Sequence, residues 1–310
     1  MFDTLIYFNV LNNILHFSQS HLLEGQYKGL KEVQETSTTE GKRFELRDTG
    51  IVLEIPQEAI EDEKFPKSVG MRIIPSRKVE DEVISFCSNS SVAVELFPSG
   101  FKLRQAAKLY LPHCLVFKET KERGAKIFIN HEKGSPSPWK KKEDNGYTLK
   151  DDACIISLLQ LCCVKYSIDD AAVKGKKITV YTAAKKVVRS REHAEVEVGY
   201  HSDIPDGGEL LRMNPHFVVD TRKTVLFMED RKSPLKVSLE SIATPKWECI
   251  FPKEKQREIT FKTIASSMEH SHLYILQNTN SGDGSVHCIF QAWQKTFPRE
   301  TLALTGNQQV

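Results

Sequence analysis

The patterning of the chain predicts an all-β fold: two antiparallel β-sandwich domains in tandem, with a short N-terminal helix. Three observations carry this. Short runs rich in Val, Ile, Phe, Tyr and Thr recur along the whole chain. Many alternate apolar and polar side chains, such as Val52 with Glu54 and Val196 between Glu195 and Glu197, which is the period of a half-buried strand. Pro and Gly bound most of the runs, at Pro56, Pro75, Pro98, Gly100 and Pro112, where the chain must reverse. A length of 310 residues suits two domains that each bury a core without staples.

Residues 1–17 form the most apolar stretch. Tyr7, Val10, Leu11, Ile14 and Ser18 follow helical spacing and predict an amphipathic helix docked on the body. The stretch has neither the basic start nor the small-residue cleavage site of a signal peptide, and it is too short to span a bilayer. Lys and Arg are absent from 1–27, so no membrane contact is expected of it. Residues 24–43 are polar and read as a linker, giving an N-terminal helix and linker over 1–40. The first sandwich, 41–168, takes the runs at 50–56, 69–75, 91–97, 107–112, 125–129 and 155–168. Within it, IPQEAIEDE (55–63) predicts a one-turn helix at a crossover. SIDDAAVKGKK (167–177) marks the division, because an apolar run ends there and small and charged residues follow. The second sandwich, 169–296, takes the runs at 176–182, 194–200, 223–228, 235–240, 258–264 and 287–293, and 297–310 reads as a tail. The segments 131–146 and 278–285 read as loops.

The chain carries 43 basic and 41 acidic side chains, a net charge of +2. That balance excludes a strongly basic nucleic-acid binder. One local asymmetry stands out at 174–191, where Lys174, Lys176, Lys177, Lys185, Lys186, Arg189 and Arg191 meet no acidic residue. The run suits either a patch for an acidic partner or phosphate lipid, or an edge strand that lysines protect from unwanted pairing. Only Tyr181 lies inside it, too little aromatic surface for base stacking, so nucleic acid is not an expected partner. Seven cysteines are an odd number and form no C-x-x-C pair, which suggests reduced, mostly buried thiols in a cytoplasmic protein. His270 and His272 share one strand face, but no second close pair of ligands completes a zinc site, so neither metal nor cofactor is expected. Asn89-Ser90-Ser91 matches a glycosylation sequon by pattern alone. Hydrolase, kinase, nucleotide-binding and zinc-protease signatures are missing, so the residues give no reason to expect an enzyme.

GIVLEIPQEAI (50–60), followed by SSVAVELFPSGFKLRQAAKLYLPH (90–113), resembles the zonula occludens/UNC-five, or ZU-five, family. Gly50, Leu53, Ile55, Pro56, Ala59 and Ile60 match its first motif, and Val94, Pro98, Gly100, Leu103, Leu109, Leu111, Pro112 and His113 its second. Residues 170–295, through strand content and DIPDGGEL (203–210), resemble the UPA domain that follows ZU-five in UNC-five netrin receptors, PIDD and ankyrins. The resemblance implies a non-enzymatic intracellular scaffold that binds other signalling proteins, death-domain or cytoskeletal proteins among them. It also implies a link to apoptosis and a cytoplasmic place, alone or as the intracellular part of a membrane receptor. Little chain follows Trp293, so no helical death domain of its own is expected. Some members of the family instead cut themselves at a His-Phe-Ser motif, where the Ser hydroxyl attacks the preceding carbonyl and a His serves as base. Carried over, Ser157 would be the nucleophile and His131 the base, although Ile155 and Ile156 replace the family's His and Phe. His16-Phe17-Ser18 reproduces the tripeptide, but ahead of any ZU-five strand.

Overall fold

The computed structural model describes residues 32–35, 41–60, 68–74, 85–119, 123–131, 139–143, 146–185, 193–208, 211, 214, 217–229, 233–279, 286–295 and 300–306. The expected N-terminal helix and His16-Phe17-Ser18 lie outside these residues. The fold is all-β, with four antiparallel sheets among the described residues.

Strands are numbered in chain order. The first sheet runs β1 (Glu32–Glu35), β4 (Val69–Ile74), β5 (Ala93–Phe97), β12 (Cys163–Ile168), β8 (Ala125–Asn130), β9 (Lys140–Lys141). The second runs β10 (Tyr147–Leu149), β11 (Ala153–Gln160), β6 (Lys102–Pro112), β3 (Ile51–Ile55), β2 (Lys42–Leu46). Alternation decides which faces meet. Cys154, Ile156 and Leu158 of β11 and Leu109 and Leu111 of β6 are buried, and they share one core with Met71, Ile73, Val94 and Leu96 of the first sheet. Each such Leu or Ile contributes about 1.5–3 kcal/mol by leaving water. Gly100, in the turn between β5 and β6, holds φ of 84°, and its N–H donates to the Leu161 carbonyl at 2.7 Å. That backbone conformation explains glycine there.

The third sheet runs β15 (Phe217–Met228), β13 (Val173–Lys185), β14 (His193–Ser202), β19 (Glu269–Asn278), β17 (Trp247–Phe251). The fourth runs β18 (Gln256–Ile259), β16 (Leu235–Ile242), β20 (Val286–Trp293), β21 (Glu300–Gly306), and β21 lies against β13 and β15. One short strand crosses between the two pairs of sheets. β7 (Leu115–Phe117), which follows β6, pairs antiparallel with β13, with Leu115 opposite Lys176 and Phe117 opposite Val173. β14 pairs with β13 from Ile178 onward, so β7 and β14 share one long edge of β13.

Five local expectations are corrected. Of the helix expected over 55–63, residues 56–60 form turns, because Glu58 takes φ of 60°, a left-handed conformation that an α-helix cannot continue through; residues 61–63 lie outside the described residues. The linker expected over 24–43 contains β1 and the start of β2, and β1 pairs with β4. The tail expected over 297–310 contains β21, which pairs with β20. The run 258–264 is not one strand: β18 ends at Ile259, and a helix, α1 (Phe261–Ser266), begins where the Thr260 side chain accepts from the Thr263 N–H at 3.1 Å. The apolar run 155–168 is likewise two strands, β11 and β12, and these belong to different sheets.

Candidate functional site: the junction between the sandwiches

The sequence's most distinctive residues converge where β7 meets β13. His113 closes β6 and is buried. Its Nδ1 accepts from the Leu115 N–H at 3.2 Å, so Nε2 carries the ring proton and donates to the Lys150 carbonyl at 3.1 Å. Phe117 meets the imidazole edge-on at 5.3 Å. The neutral ring thus sets the direction of β7. Burial lowers its pKa, Lys177 adds to the lowering, and the Lys150 carbonyl, Asp152 and Asp151 oppose it.

A loop of the first sandwich, 85–90, plugs into the second. Asp170 accepts from the Phe86 and Cys87 N–H groups, both at 2.9 Å, within a one-turn 3-10 helix (Asp170–Ala172). Burial alone would raise its pKa; hydrogen bonds from Cys87, Phe86 and Ser85 outweigh that and hold the carboxyl below its ordinary value. Phe86 stacks on Phe261 of α1 at 5.2 Å and approaches Phe227 of β15 at 6.2 Å. Asn89 Nδ2 donates to the Ser266 carbonyl at 3.0 Å, so the sequon asparagine is engaged in this docking.

Lys176 lies at the centre of the junction with 0% of its surface exposed. Its Nζ donates to the Ile264 carbonyl at 2.6 Å and sits 5.4 Å from the centre of the Phe86 ring. Burial holds its pKa below the ordinary lysine value, against the opposing influence of Cys114, Cys87 and Asp170. This corrects the expected basic patch. The alternation of β13 places Lys176 with Ile178 and Val180 on the core face. Lys177 is exposed, Lys174 is half-buried, and Lys185 pairs with Glu195 at 2.6 Å. Lys186, Arg189 and Arg191 lie outside the described residues. The described lysines therefore do not form one surface.

A cleft of about 420 Å³ opens beside this junction. Asp48, Thr49 and Pro112 line it from the first sandwich. Thr179, His201, Asp203, Ile204, Arg222 and Thr224 are among those lining it from the second. Thr179 and Thr224 pair through their hydroxyls at 3.3 Å across β13 and β15. Residues 203–208 fold back after β14. Gly208, at φ of 68°, lies against the buried His201 ring, which Tyr181 also approaches at 6.2 Å, and Leu211 covers Tyr181 and Ala183.

Ser157 and His131 are not brought together. Ser157 faces outward from β11 in the second sheet, opposite Lys108, whereas exposed His131 follows β8 in the first sheet, and no hydrogen bond links them. His270 and His272 do share a face, with rings 5.1 Å apart, and His272 is pushed down to about 4, chiefly by burial. Among the described residues no group of three or more His, Cys, Asp or Glu could hold a metal. The cysteines are all free thiols, six of them buried, and burial pushes Cys114 up to about 11. No helix among the described residues is long and apolar enough to cross a membrane. The chain matches no protein-family model and no curated protein.

Proposed function

We propose that this chain is a non-enzymatic, intracellular protein-interaction scaffold of the ZU-five–UPA kind, offering one composite surface made by both sandwiches. The observation that supports the reading is the pairing of β7 with β13, which extends a sheet of one sandwich with a strand of the other. Strand pairing fixes relative orientation far better than a flexible linker does, so residues contributed by the two halves keep a constant spacing. A scaffold that recognises a partner across a junction needs that property. Signalling proteins, including death-domain or cytoskeletal proteins, are the partners this reading implies.

The test is chemical crosslinking of the full chain in cell extract, comparing the unaltered protein with Val116→Pro, which breaks β7. The reading expects a partner crosslinked to residues of both sandwiches, and loss of that pattern in a variant that retains its β circular dichroism. Crosslinks confined to one sandwich and unchanged by Val116→Pro would overturn it.

A further inference from the structure

We infer that the junction cleft binds an extended segment of a partner polypeptide carrying one acidic and one basic side chain about four residues apart. The inference deepens the scaffold reading by naming where recognition occurs and what chemistry it selects.

Strand register gives the cleft its polarity. Arg222 pairs with Tyr181, and Thr224 pairs with Thr179 two residues further along β13. The Asp203 N–H then bonds to the Lys177 carbonyl at 3.2 Å. From the level of Tyr181 to that of Lys177 is four residues along β13, about 13 Å at the rise of a strand. The cleft therefore has the Arg222 guanidinium toward one end, with the Lys223 ammonium beside it in the lining, and the Asp203 carboxylate toward the other. Between them lies the Thr179–Thr224 hydroxyl pair, which offers hydrogen bonds without charge. Asp48 adds a carboxylate from the opposite sandwich, while Pro112 and Ile204 provide apolar walls.

Arg222, Asp203 and Asp48 line one cleft, yet none makes an ion pair or side-chain hydrogen bond among the described residues. Elsewhere on this surface long charged side chains do pair, as Lys185 with Glu195 and Lys118 with Glu229. Opposite charges held apart at the two ends of a cleft match a ligand of complementary dipole, and like-charge contact penalises the reverse order. The volume lies within the range of small-ligand sites and suits a few residues of extended chain rather than a whole domain. Because one wall comes from each sandwich, the site depends on the β7–β13 pairing.

The experiment titrates fluorescein-labelled pentapeptides into the full chain and follows anisotropy. The probes are Glu-Ala-Ala-Ala-Lys, its reversed sequence and the neutral Gln-Ala-Ala-Ala-Gln, all with blocked ends, so that the two charges stand four residues apart on one face of the extended chain. One charged order should bind better than the other and better than the neutral probe. Arg222→Glu or Asp203→Lys should each weaken that binding about three- to fivefold. The double variant should exchange the preference between the two orders. Both positions are exposed, so unaltered melting curves would show that the variants fold. Equal binding of all three probes, binding of none, or a preference the double variant does not exchange would overturn the inference. Partner crosslinks that persist through Arg222→Glu and Asp203→Lys but disappear in Val116→Pro would leave the scaffold reading intact while this inference fails.

Discussion

The Leu115 N–H donates to Nδ1 of His113, two residues earlier, and by that bond the end of one sandwich sheet is turned onto the sheet of the other. A protonated imidazole cannot accept there, since both ring nitrogens then carry hydrogen. The group is buried neutral, with a folded pKa below that of the unfolded chain.

The sign of the pH dependence follows. Between the two pKa values the unfolded chain binds more protons, so stability falls as pH drops through the ordinary histidine range near 6.5. Facing groups act in both directions: Asp152 and Asp151 favour protonation, Lys177 opposes it, and Phe117 and Tyr166 pack on the ring. Melting temperature should decline from pH 7.5 to 5.5 in the unaltered chain. His113→Gln should be less stable at pH 7.5 but show a flatter profile. Parallel profiles would refute a role for His113.

Lys176→Met should stabilise the chain, because a methionine of similar length fills the same space without desolvating an amine. A gain of about 1–3 kcal/mol in denaturant unfolding is expected at neutral pH. The advantage should shrink as pH rises through the unfolded lysine value near 10.4, above which the amine is neutral in both states. A loss of stability would mean that the bond to the Ile264 carbonyl outweighs the cost of burying the amine.

Asp170→Ala removes the acceptor for two backbone N–H groups of the 85–90 loop and should cost about 1–3 kcal/mol. Amide exchange at Phe86 and Cys87 should accelerate most. Protection at Ile156 in β11, remote from the loop, should change only through global stability; a uniform change at all three sites would show that the loop is not a separate latch.

On a denaturing gel the purified chain should run as one band at its full mass of 35.3 kDa, with Ser157→Ala and His131→Ala indistinguishable from it. Two fragments, each near half the chain and abolished by Ser157→Ala, would establish self-cleavage and reverse the assignment of Ser157 as an outward-facing strand residue.

The long strands were legible because alternation is a local property: Leu53 and Ile55 on either side of Glu54 mark β3, and Val196 and Val198 on either side of Glu197 mark β14, whatever they pack against. Sheet membership was not, since β11 and β12 read as one apolar run until Leu161 and Cys162 carry the chain to another sheet. β7 is three residues long, too short for a period to register. The burial of Lys176 did leave a signal. It sits two and four residues from Ile178 and Val180, on the face their alternation defines, and its charge concealed that position. The junction cleft left none, because Asp48, Asp203 and Arg222 meet only through pairings distant in sequence.

The shared edge of β13 separates two kinds of boundary. Along the covalent chain, residues 169–172 offer a plausible place to cut, between the last strand of one sandwich and the first of the next. In the hydrogen-bond network there is no such place, since β7 and β14 occupy adjoining stretches of a single strand. Either half expressed alone would bear an orphan: β7 without its template, or β13 with Val173–Lys176 bare and free to recruit any other extended chain. The smallest autonomous unit of this protein is therefore set by strand pairing, and it is larger than either sandwich.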